Sequence, residues 1–92
     1  MQEPNTSELM QYAAQRAEGR PEFIASALAA YRERHGVDDL AIARRLGVGA
    51  DGYARLALCL WPRPADAYFR ERVDNIAAFV RARVDVLTEI LT

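Results

Sequence analysis

The stretch from Asp39 to Arg63, DLAIARRLGVGADGYARLALCLWPR, constrains the fold more than any other part of the chain. At its centre is Ala43-Arg44-Arg45-Leu46-Gly47-Val48. A small residue, two polar residues, a leucine, a glycine and a β-branched residue are spaced as a helix-turn-helix requires. Ala43 lets a second helix approach closely, and Gly47 can take the positive φ that ends the first helix without a Cβ penalty. Leu46 and Val48 are expected to plug the angle between the two helices. Such a unit can present one helix to a DNA groove, so the pattern bears on function as well as on fold.

The 92 residues suffice for one small domain, and 51% apolar with 27% charged residues is a globular balance. No apolar run approaches membrane-spanning length, and no secretory leader pattern follows Met1, so a cytoplasmic protein with no membrane partner is expected. The single Cys59 allows no internal disulfide, and with a single His35 it makes a poor metal set, so no cofactor is expected. Net charge is −1, with all twelve basic residues being Arg. That argues against a non-specific DNA coat, which needs a large positive field. Only the middle block, residues 23–64, is positive, with six Arg against Glu33, Asp38, Asp39 and Asp51.

Periodicity and punctuation predict an all-α domain of five to six helices over residues 6–92, after a flexible tail at 1–5. Thr6 or Ser7 can cap a helix to about Glu18, with an apolar stripe of Leu9, Met10, Ala13, Ala14 and Ala17. Gly19 stops it, and Pro21 suits the first turn of a helix from about 21 to His35. That helix turns Phe23, Ile24, Ala27, Leu28 and Tyr31 inward and ends at Gly36. Asp38 is a good N-cap for a short helix to Leu46. Gly49 or Ala50 opens the next, to about Cys59, and Pro62 and Pro64 forbid its continuation. Asp66 can cap a helix with Phe69, Val73, Ile76, Ala77 and Val80 as its inner face. Beyond Arg81 the period shifts to Leu87, Ile90 and Leu91, through either a break near 82–83 or a bend.

From about Phe23 to Leu91 the order of elements resembles the lambda-repressor-like (Cro/C1, or XRE-type) helix-turn-helix family. The helix at 6–18 is an addition outside that family's core. The resemblance implies a DNA-binding transcriptional regulator that reads duplex DNA as a homodimer. Its second helix would be 38–46 and its recognition helix 50–59. The positions facing the major groove would be Ala50, Asp51 and Arg55. Arg55 could bond bidentately to guanine and Asp51 could accept from cytosine. Arg44, Arg45 and Arg63 would contact phosphates.

The residues also support a second reading, a helix-turn-helix-derived adaptor or antitoxin-like regulator that binds protein rather than DNA. The sequence pI of about 5.8 favours it. So do the carboxylates of Asp38 and Asp39 where phosphate would lie, and the apolar run from Tyr53 to Trp61. Candidate interface residues are Leu9, Met10, Leu58, Leu60, Trp61, Leu87, Ile90 and Leu91. The extra helix and the last helix are the candidate dimer surfaces. Enzyme signals are missing. Gly47-Val48-Gly49-Ala50-Asp51-Gly52 matches a dinucleotide-loop pattern but lacks the preceding strand such a loop needs.

Overall fold

The computed structural model describes residues 6–92, and side chains from Glu8 onward. The expected tail at 1–5 lies outside the described residues, and the cap assigned to Thr6 or Ser7 rests on side chains that are not described. The described chain is all-α. Six helices follow in order: α1 (Thr6–Ala17), α2 (Ile24–His35), α3 (Asp39–Leu46), α4 (Ala50–Ala57), α5 (Phe69–Val80) and α6 (Val84–Leu91).

Local chemistry sets most of the boundaries. The Asp38 carboxylate accepts the Ala41 N–H at 2.9 Å and so caps α3. Gly36 and Gly47 take the left-handed conformation, with φ 62° and 77°, and end α2 and α3. The break between α5 and α6 is real, but a glycine does not make it: Arg81 adopts φ 59°, the only described non-glycine residue at positive φ. Beyond it the Arg83 N–H donates to the Leu46 carbonyl at 2.8 Å, so the start of α6 is tied to the end of α3.

Three boundaries differ from expectation. First, α2 opens at Ile24, because Phe23 is extended and bridges Leu60. The Ile24 N–H donates to the Cys59 carbonyl at 2.9 Å and the Trp61 N–H to the Glu22 carbonyl at 2.8 Å. Second, the same pairing shortens the expected 50–59 helix. After Ala57 the chain tightens, with the Cys59 N–H on the Leu56 carbonyl at 3.0 Å, and leaves as an isolated antiparallel bridge between Phe23 and Leu60. Third, Asp66 forms a turn rather than the cap of α5. Its carboxylate accepts the Tyr68 N–H at 2.8 Å and its carbonyl the Phe69 N–H at 3.0 Å, and the helix starts only there.

The core is built on α2 and α6. Ile24, Leu28, Ile42, Leu46, Leu56, Val73, Leu87 and Leu91 are fully buried. Burying one such aliphatic side chain is worth about 1.5–3 kcal/mol. Helix α6 packs against α2, α3 and α5. This overturns part of the expected interface set: Leu87 and Leu91 are 0% exposed and Ile90 7%, so the apolar face of the last helix closes this chain's own core. The Trp61 indole N–H donates to the Leu91 carbonyl at 3.3 Å, holding that side chain over the end of α6.

Helix α1 takes an unexpected position. Its main partner is α4, with a smaller contact on α2. Alanines make the close approach possible: Ala17 is buried and Ala13 and Ala14 half-buried on α1, while Ala54 and Ala57 are buried on α4. Leu9, read as part of the inner stripe, is 56% exposed instead, and Tyr12 is 60% exposed.

Candidate functional site

The expected DNA-reading positions lie on α4. Ala50, Asp51 and Arg55 are exposed, whereas Ala54, Leu56 and Ala57 are buried and Gly52 and Tyr53 half-buried. Successive helical residues turn by about 100°. Asp51 and Arg55 therefore form one narrow strip on α4. On one flank, a Cβ added to Gly52 would lie 3.2 Å from Val48 Cβ and 3.5 Å from the Val80 carbonyl, so α4 sits tight over the turn and the end of α5. On the other flank lies α1.

The arginines expected at phosphates occupy different settings. Arg45 donates to the Tyr31 hydroxyl and, at 3.0 Å, to Glu89 of α6. The Glu89 carboxylate raises the Arg45 pKa above its ordinary value. Arg44 is exposed and lines a groove described below. The Arg63 guanidinium stands 5.9 Å from the centroid of the Trp61 ring. Arg44, Arg55 and Arg63 are exposed, whereas Arg45 is tied to Glu89 of α6.

Sequence reasoning missed a polar network that joins α2, α3 and α4 to the turn after α1. Arg32 of α2 bonds Glu18 at 2.8 Å and Asp39 at 2.7 Å. The same Asp39 oxygen accepts the Tyr53 hydroxyl at 2.7 Å. Burial lowers the Arg32 pKa, but the bonds to Asp39 and Glu18 outweigh it and the net shift is upward. Burial, then the bond to Asp39, pushes the Tyr53 hydroxyl far above the ordinary tyrosine range. The network is scattered along the chain, so no local spacing announces it. Because Asp39 is engaged with Arg32 and Tyr53, and Asp38 with the helix cap, both carboxylates expected near phosphate serve internal contacts.

Two apolar concavities open on the surface, and the first adjoins this network. One, of about 310 Å³, lies among α1, α2, α3 and α4; Ala14, Leu28, Ala43, Val48, Ala54 and Ala57 contribute to its lining. The other, of about 370 Å³, is a shallow trough between Cys59-Leu60-Trp61-Pro62 and Arg72, Asn75 and Ile76 of α5. Beside it Leu60 is 68% exposed, the most exposed large apolar side chain described. Leu58 and Trp61 are half-buried, as is Met10. Cys59 is half-buried as well, and burial pushes its thiol pKa up, away from the thiolate that nucleophilic chemistry needs. Among the described residues no group of His, Cys, Asp or Glu is arranged to hold a metal, and no helix is long and apolar enough to cross a membrane.

Compared with protein-family models, with curated proteins and with solved structures, the chain matches none.

Proposed function

We propose that this chain is a helix-turn-helix-derived regulator whose working contact is with another protein rather than with duplex DNA. The observation that carries this reading is α1 laid along α4. A helix with its side chains is about 10–12 Å across, and the major groove is about 12 Å wide. A reading helix therefore needs clear flanks, and α4 has α1 on one side and the end of α5 on the other. The ties of Arg45 to Glu89 and Tyr31 support the same reading. So do the carboxylates at the start of α3. The partner surface is Leu60 with the trough beneath it, shaped to take an apolar anchor residue from a partner protein.

A specific observation favours the DNA reading: Ala50, Asp51 and Arg55, the positions that the lambda-repressor-like resemblance assigns to bases, are all exposed, and so is Arg44. Selection from random duplex DNA at low salt, where phosphate binding is strongest, separates the two. It is run beside crosslinking and co-purification from the source cells with wild type, Arg55→Ala and Leu60→Asp. The expected outcome is no enriched DNA, with a discrete partner retained by Arg55→Ala and lost by Leu60→Asp. An enriched palindromic motif, blurred at one position by Arg55→Ala, would overturn the protein-binding reading and establish a DNA-reading dimer.

A further inference from the structure

We infer that the concavity among α1, α2, α3 and α4 is a binding site for a small, mostly apolar, uncharged molecule that carries a hydrogen-bond donor. The inference is independent of the partner surface at Leu60. The volume of about 310 Å³ is at the lower end of the range for small-molecule pockets. It exists because alanines meet there: Ala14, Ala25, Ala43, Ala54 and Ala57 come from four different helices. Protein interiors otherwise fill such space with larger side chains, and a leucine at one of these positions would do so. The lining is apolar at the floor, with Leu28 at 2% exposure, and polar at the mouth, where Glu18, Asp39 and Tyr53 converge.

The polarity of the mouth selects the ligand. Tyr53 donates to Asp39 Oδ1, which also takes Arg32, and Glu18 holds Arg32 through Oε1. Asp39 Oδ2 and Glu18 Oε2 take part in none of these bonds. The acids offer acceptors, and Gln11 and Gln15 on the same lining carry amides that both donate and accept, so a head group with a hydrogen-bond donor can be satisfied here. Arg32 and Arg44 between them offset the two carboxylates, so the entrance carries no net charge and favours neither a full cation nor a full anion. Arg44 stands on the rim as a single exposed counter-charge.

Indole, flat, apolar and with one N–H donor, is a suitable probe, and 3-phenylpropionate an anionic one. Each is titrated into the full chain while backbone amide NMR signals are followed, in wild type, Ala43→Leu and Ala14→Leu. Indole is expected to give saturable shifts centred on Ala43, Ala54 and Ala57, with 3-phenylpropionate at least about ten-fold weaker. Each leucine variant is expected to lose indole binding by about ten-fold or more while keeping a dispersed spectrum. The inference fails if indole gives no saturable shifts, if the shifts centre on Leu60 and Ile76, or if the anion binds as well as indole. It fails equally if a folded leucine variant binds indole undiminished. Should both variants unfold, the location of the shifts and the indole-to-anion ratio in wild type decide.

Discussion

The two sides of this small domain are packed on different principles. Where α6 packs on α2 and α5, the helices bury Ile24, Val73, Leu87 and Leu91, all at most 1% exposed. Among α1, α2, α3 and α4, alanines from all four helices line an open groove of about 310 Å³. Long aliphatic side chains interlock and exclude space, whereas alanines permit close helix approach along one line and leave volume beside it. Stability is therefore concentrated on the α6 side, and the adaptable surfaces lie on the α1 side.

Leu87→Ala tests the dense side most severely. It is expected to cost about 2–5 kcal/mol, read as a lowered urea midpoint, because the site cannot collapse around the loss. A cost near that of a surface change would erase the contrast. Gly47→Ala comes next, at about 1–2 kcal/mol, because φ is 77° there. Its cost would appear in the same unfolding curve. Arg81 adopts a similar left-handed conformation without being glycine, so Arg81→Gly is expected to add about 0.5–1 kcal/mol and raise the thermal midpoint.

On the groove side, Tyr53 links stability to pH. Its folded pKa lies above its unfolded value, so its contribution is full below the unfolded pKa of about 10 and is lost as pH rises beyond it. Denaturation curves between neutral and strongly alkaline pH should steepen their decline there in wild type and flatten in Tyr53→Phe. The smallest effect belongs to Leu9→Gln on the outer face of α1, within about 0.5 kcal/mol in either direction. A larger loss would mean that α1 is held as firmly as α6.

The punctuation of the helices was legible because caps and stops are local. Asp38 and its acceptor role, Gly36 and Gly47 each follow from residues within a few positions of the boundary, whereas the period shift beyond Arg81 left a break and a bend equally open. What depended on distant partners was not legible. The extended pairing of Phe23 with Leu60 displaced the start of α2 and the end of α4, and no residue near Pro21 or Cys59 announces it. The apolar face of α6 looks the same in sequence whether it covers its own core or a second chain, so Leu87, Ile90 and Leu91 were placed at an interface. The alanines of α1 marked a packing face without naming α4 as its partner. At the candidate site, the exposure of Ala50, Asp51 and Arg55 follows from helical spacing once Ala54, Leu56 and Ala57 are buried. The engagement of Arg45 with Tyr31 and Glu89 did not follow from Arg45's neighbours, because Glu89 stands 44 positions away.

The bond from the Arg83 N–H to the Leu46 carbonyl, with Leu87 and Leu91 inserted behind it, has a consequence for synthesis. On the ribosome the helices from α1 to α5 emerge first, yet their shared apolar surface has no cover until α6 leaves the exit tunnel. The nascent chain therefore passes through a period in which α2, α3 and α5 are present and unsealed. Nascent chains held on a linker so that α5 is outside the tunnel and α6 still inside should be cut readily by protease, while chains with a longer linker, whose α6 has cleared the tunnel, should resist.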